Sequence, residues 1–228
     1  MSESRLTRRA SLAKLGGVVA AAAAGGVAAD QASGGPAGVA RGVVSCVLSP
    51  EMTEGPFFFP GDPVRSDVRG GKPGTVLDLR LTVVDASTCK PIRGARVDIW
   101  HCDAAGVYSG AEQLGTEGES FLRGIQRTTA SGLAVFRTIY PGWYPGRAVH
   151  IHLRAYLGGN VIHTGQVFFP DKLTDEVYKR APYAARPNRD PRNAGDSIFR
   201  NGGSRSMLKL RRRGAGYIGS ITLGVSRS

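Results

Sequence analysis

The sequence predicts an all-β fold, a sandwich of packed antiparallel sheets with long loops and little helix, and three observations carry that expectation. Apolar residues recur in short runs with a period of two, the alternation of a strand with one buried face. Turn-forming residues, among 32 glycines and 13 prolines, bound those runs. With 228 residues, 41% hydrophobic and 21% charged, the chain can also bury one sizeable core.

Taken in order, Val76–Asp85 places Leu77, Leu79, Leu81 and Val83 on one face. After the Pro91/Gly94 turn, residues 95–101 place Ala95, Val97 and Ile99 likewise, so the two runs read as a hairpin. Residues 132–139, 148–156, 161–169 and 216–225 give four more strands. Residues 173–181 suggest a short helix, and the polar stretch 183–197, with two prolines, reads as surface loop. Two packed antiparallel sheets satisfy this order better than any α/β arrangement.

The amino-terminal stretch stands apart. Arg5, Arg8, Arg9 and Lys14 precede the small-residue run LGGVVAAAAAGGVAA, the order of an export signal, and Val27-Ala28-Ala29 offers a cleavage site. The run is too short and too rich in Ala and Gly to match the roughly 20 strongly apolar residues of a membrane span, so no stable membrane insertion is expected once the signal is removed. TRRASLAK resembles a twin-arginine signal, although Ser11 stands where that pattern has a bulky apolar residue. The expected organisation is a signal over residues 1–29, a linker over 30–52 and one domain over 53–228, exported to the periplasm, cell surface or medium.

Cys46, Cys89 and Cys102 then fall in an oxidising compartment, where one disulfide and one thiol are expected and three pairings remain open. No two cysteines have a C-x-x-C spacing, which argues against a cysteine metal site. The net charge of +12 favours small or polymeric anions near the surface. Without a DNA-binding motif or an aromatic-interleaved basic stripe, nucleic acid is not an expected partner.

The chemistry concentrates in YPGWYPGRAVHIH, residues 140–152, which hold two of the four histidines. Strand alternation sets Val149, Ile151, Leu153 and Ala155 on one side and His150, His152, Arg154 and Tyr156 on the other. Two imidazoles at i and i+2 on one face suit zinc, copper, iron or nickel. By themselves they are more often ordinary surface or core histidines, so a metal needs other ligands nearby. Tyr144 and Tyr108, each at a glycine-containing turn, are the remaining candidates.

The stretches TEGPFF (residues 53–58), VDIWHCDAAGVYSG (97–110), FLRGIQRTTASGLAVFRTIYPGWYPGRAVHIH (121–152) and TGQVFFP (164–170) together resemble the intradiol ring-cleavage dioxygenases, the catechol and protocatechuate dioxygenase family. The resemblance implies a transthyretin-like β-sandwich and a non-haem Fe(III) held by Tyr108, Tyr144, His150 and His152. That ligand set suits ferric iron: two phenolates and a hydroxide balance its charge, and a metal lowers the pKa of a bound phenol from near 10. By the same resemblance Tyr144, Arg147 and Gln166 are catalytic, with Tyr144 as the internal base that leaves the metal and Arg147 as the cation facing the reacting ring carbon. The resemblance further implies that Arg147, Gln166, Pro56 and Phe57 border the substrate, a small aromatic diol that would react with O2.

The chain departs from better-known members in two ways: GPFF replaces an aromatic pair ending in tyrosine, and there is no long helical amino-terminal region of the kind used to dimerise. Substrate and any homo-oligomeric state therefore stay open. The alternatives are a catalytically silent transthyretin-like binding module and another metalloenzyme using copper or zinc on His150 and His152.

Overall fold

Strand β1 (Val76–Asp85) follows its own alternation: Leu77, Leu79, Leu81 and Val83 are buried, while Asp78, Arg80 and Thr82 are not. In the computed structural model, which describes residues 46–227, it is joined by β2 (Arg96–Trp100), β3 (Arg123–Arg127), β4 (Leu133–Ile139), β5 (His150–Leu157), β6 (Asn160–Phe168), β7 (Lys209–Arg213) and β8 (Gly216–Val225). Among the described residues these make two four-stranded sheets, ordered β4-β1-β8-β7 and β3-β2-β5-β6. The core lies between them, with Leu77, Leu79, Leu81 and Phe136 from one sheet meeting Val97, Ile99, Ile151 and Leu153 from the other. Each such side chain contributes about 1.5–3 kcal/mol through apolar burial.

Several expectations need correction. β1 and β2 are not a hairpin: they lie in different sheets, because each has a single apolar face and those faces meet across the sandwich rather than side by side. The first sheet is mixed, since β8 runs parallel to β1 while β4 and β7 pair antiparallel. β3 and β7 were not expected as strands. β7, KLRRR, has almost no apolar alternation and is a charged edge strand hydrogen-bonded to β8 alone.

The helix is α1 (Asp171–Tyr178), two residues earlier than expected, and a second short helix is α2 (Ser197–Arg200). Residues 183–197 are not simply surface loop: Tyr183, Asn193 and Asp196 are buried, the last as the N-cap of α2, where its side chain accepts from Ile198 N and Phe199 N. None of the described helices is long and apolar enough to cross a membrane.

A disulfide joins Cys46 to Cys89, and Cys102 is a buried thiol. The bridge therefore ties the start of the described chain to the turn that follows β1. The signal reading for residues 1–29 and most of the linker reading lie outside the described residues.

One feature of β5 departs from simple alternation. Its first four residues, His150 to Leu153, are all buried, so both faces of the strand are covered. Val149, Ile151 and Leu153 enter the core, as expected. The face bearing His150 and His152 is roofed by the segment running from Glu51 to Phe59 and by the loop between β2 and β3.

Candidate active site

Cross-strand register builds the floor. Trp100 on β2, His152 on β5 and Gln166 on β6 are direct neighbours in the sheet, so their side chains share the outer face. Trp100 stacks on His152 with ring centroids 5.1 Å apart and an interplanar angle of 5°.

Tyr144 and Arg147 close a tight turn, Tyr144-Pro145-Gly146-Arg147, in which Arg147 N donates to Tyr144 O at 3.3 Å and Gly146 has φ +85°. Proline second and glycine third is the type II pattern, since only glycine accepts that φ without strain. The turn presents both functional side chains to His150. Tyr108 comes from the β2–β3 loop, where Thr116 Oγ1 donates to its carbonyl at 2.6 Å and Phe57 stacks on its ring at 4.3 Å.

The four polar atoms converge. His150 Nε2 lies 3.4 Å from Tyr108 Oη, 3.2 Å from Tyr144 Oη and 3.0 Å from His152 Nε2. His150 Nδ1 is 2.6 Å from the Ala148 carbonyl, which can only accept, so Nδ1 carries the proton and Nε2 offers a lone pair. Burial, then the Arg147 charge, pushes the His150 pKa down to about 3, and burial followed by the His150 and Arg147 charges drives His152 well below its ordinary value. Both imidazoles are therefore neutral at ordinary pH. Burial pushes the Tyr144 phenol up to about 12 and Tyr108 well above its usual value. A phenolate here needs a strong cation beside it.

The donor set fits a metal ion. First-row metal–nitrogen distances of about 2.1 Å put neighbouring ligands about 3 Å apart, the spacing observed between His150 Nε2 and His152 Nε2. His152 Nδ1 is buried without a hydrogen-bond partner, consistent with a ring placed for its other nitrogen. Among the described residues no group of three His, Cys, Asp or Glu gathers. Tyr108 and Tyr144 add two phenol oxygens to the two imidazole nitrogens, a mixed oxygen and nitrogen donor set that suits a first-row transition metal.

The roof is tied down at several points. Glu51 carboxylate oxygens meet His163 Nδ1 at 2.6 Å and Thr164 N at 2.9 Å, Gln166 Nε2 donates to Thr53 O at 2.9 Å, and Glu54 pairs with Arg154. The Arg154 guanidinium also covers the Phe58 ring at 4.3 Å. Gly55, at φ +70°, passes so close that a Cβ there would sit 3.1 Å from His152 Cε1. Pro56 follows it in this roof.

All the expected site residues are thus brought to one place, with Pro56 and Phe57 in the roof and Gln166 beside Arg147, which donates from Nη2 to Gln166 Oε1. Sequence reasoning missed Trp100, Arg154 and Asp196. Arg147 Nε donates to Asp196 Oδ2 at 3.0 Å. Burial opposes the charge on Asp196, yet the Ala148 N–H and the Arg147 guanidinium outweigh it and hold the carboxyl below its usual pKa. An Asp before Ser197-Ile198-Phe199 is a helix-start signal that could have marked it.

Comparison with known proteins places this arrangement. Residues 50–169, more than half the chain, match the family model described as Dioxygenase. Catechol 1,2-dioxygenase 1 of Acinetobacter lwoffii is 32% identical over 101 residues, 42% of this chain and 32% of that protein, so the match spans about a third of that curated relative. The intradiol ring-cleavage dioxygenase of Tetranychus urticae superposes with a TM-score of 0.76 at 36% identity, over 79% of this chain and 95% of that one. The dioxygenase domain of a carbohydrate-binding fusion from Streptomyces sp. SirexAA-E gives 0.59 at 31% identity, over 77% and 96%. The fold is that of a dioxygenase. The chain belongs to the intradiol ring-cleavage dioxygenase family.

Proposed function

We propose that this protein is an iron(III)-dependent intradiol dioxygenase that cleaves a catechol-type ring with O2 between its two hydroxyl-bearing carbons, giving a muconate-type diacid. The observation that carries the reading is the convergence of Tyr108, Tyr144 and His152 on His150 Nε2, within 3.4 Å. Those four residues would hold the iron. A ferric ion held there would supply the Lewis acidity that lowers the pKa of the diol and makes its ring reactive towards O2.

The chain's own groups supply the rest. Tyr144, in a turn whose Pro145 and Gly146 are exposed, can swing aside, and its Oη then accepts a proton from the incoming diol. Tyr108, buried beneath Phe57, stays in place. Arg147 Nη1, 3.4 Å from His150 Nε2, sets positive charge beside the ring as negative charge develops on carbon. Phe57, Phe58 and Trp100 form an apolar cluster with Tyr108 that excludes water from the ring's edge. An exported location, from the reading of residues 1–29, is supported by the Cys46–Cys89 disulfide.

Metal analysis, a visible spectrum and an oxygen electrode test this together. The purified protein is expected to carry iron, to show phenolate-to-iron absorption, and to consume O2 with catechol while a diacid accumulates. Iron-loaded protein that binds catechol without consuming O2 would leave the silent-module reading in its place, and a zinc- or copper-loaded, colourless protein would replace iron.

A further inference from the structure

We infer that Asp196 is a positioning residue for catalysis, fixing the direction in which Arg147 presents its guanidinium to the bound ring. The inference rests on the reading of Arg147 as the cation facing substrate. The three guanidinium nitrogens of Arg147 are engaged in three different directions. Nε donates to Asp196 Oδ2 at 3.0 Å, Nη2 donates to Gln166 Oε1, and Nη1 points to the iron-ligand cluster, 3.4 Å from His150 Nε2. Because the fork is planar and rigid, fixing two of its nitrogens fixes the third.

Asp196 is itself immobile. Its side chain is fully buried; Oδ2 also accepts from Ala148 N at 2.9 Å, and Oδ1 accepts from Ile198 N at 2.7 Å and Phe199 N at 3.3 Å. The same carboxylate oxygen therefore holds the Arg147 side chain and the backbone next to it. Gln166, the second anchor, is held in turn by its donation to Thr53 O. Capping α2 does not require a carboxylate, since Asn or Ser caps a helix about as well. A buried ion pair is also a poor route to stability. What the charge uniquely does is hold an arginine.

A double-mutant cycle on the iron-loaded protein separates positioning from a merely structural role. Asp196→Asn keeps an oxygen for the cap, and Asp196→Ser is a second cap-preserving variant. In the native background each is expected to lower kcat by roughly tenfold to a hundredfold, the scale of losing a hydrogen bond to a charged group, while iron content and KM for catechol stay nearly unchanged. In an Arg147→Met background, Asp196→Asn should lower kcat no further, because coupled residues are non-additive. An equal fall in both backgrounds, or no fall in a folded, iron-loaded variant, overturns the inference. So does insolubility of both Asp196 variants when Arg147→Met folds, since that marks a structural role. Full turnover in Arg147→Met would instead strike at the proposed use of the arginine.

Discussion

Tyr108 and Tyr144 meet the same imidazole nitrogen, yet their surroundings predict different consequences of losing the hydroxyl. Tyr108 is 1% exposed, stacked on Phe57 and held at its carbonyl by Thr116, so it has nowhere else to go. Tyr144 is half-buried at the end of an exposed turn. Tyr144→Phe is therefore expected to keep iron and bind catechol anaerobically but to lose roughly a hundredfold to ten-thousandfold in rate, the worth of a general base. Tyr108→Phe should lose the colour of the substrate complex as well; stopped-flow absorbance compares them, and identical traces would defeat the division of labour. Gly55→Ala should lower iron content and activity together, because the new methyl both meets His152 and must adopt a left-handed φ. Metal analysis of that variant checks it. Asp62 offers a pH test away from the His150 cluster. Burial, opposed by the Arg123 charge, raises its pKa to about 6 from 3.8, and its Oδ2 is buried without a partner. The folded chain then binds more protons than the unfolded chain between about pH 4 and 6, so this group favours folding below that window and loses that contribution as pH rises through it. Asp62→Asn should raise the melting temperature at pH 7 and leave it nearly unchanged at pH 4; an equal shift at both would remove Asp62 from the pH response.

At the scale of elements, the roof from Glu51 to Phe59 is held chiefly through side chains rather than as a strand of the sheet. Arg154 is its main latch: it pairs with Glu54, covers Phe58 and donates to Thr164 Oγ1 at 3.2 Å. Arg154→Met should raise KM for catechol several-fold more than it lowers kcat, because it loosens a wall of the pocket without touching the reacting groups. Steady-state kinetics at saturating and limiting catechol read that split. Elements that bury one apolar face were legible in the sequence: β1, β5, β6 and β8 lie within two residues of where alternation put them. β7 was not, because an edge strand of Lys and Arg needs only a neighbour's backbone and has no buried face to leave a pattern. β3 was hidden for another reason: its first residue, Arg123, is charged yet buried, giving Nε and Nη2 to Ser109, so charge there does not mark an exposed position. The His150/His152 pair was legible as a local pattern on one strand face, whereas Tyr108 and Tyr144 joined it only through the resemblance to the family. Asp196 meets Arg147 across 49 residues, and no local spacing records such a contact.

For the molecule as a whole, the Cys46–Cys89 bridge spans 43 residues and includes the roof and β1 within its loop. Loop-closure entropy assigns such a bridge about 4 kcal/mol, so thermal melting with and without reductant should show a large drop on reduction. An unchanged melting temperature would mean the bridge constrains little. The roof has a consequence for the order of assembly. Glu54 finds Arg154 across 100 residues, and Glu51 and Thr53 find Thr164 and Gln166 across 113, while the floor's β5–β6 pairing is a local hairpin. Contacts of such long sequence separation are entropically costly to close early, so the first part of the described chain to be synthesised is among the last to dock. The pocket around His150 therefore gains its roof after the sandwich has condensed. Weakening a roof contact by Glu54→Ala should speed unfolding and barely slow refolding, leaving the refolding chain with an interval in which His150 and His152 face open water.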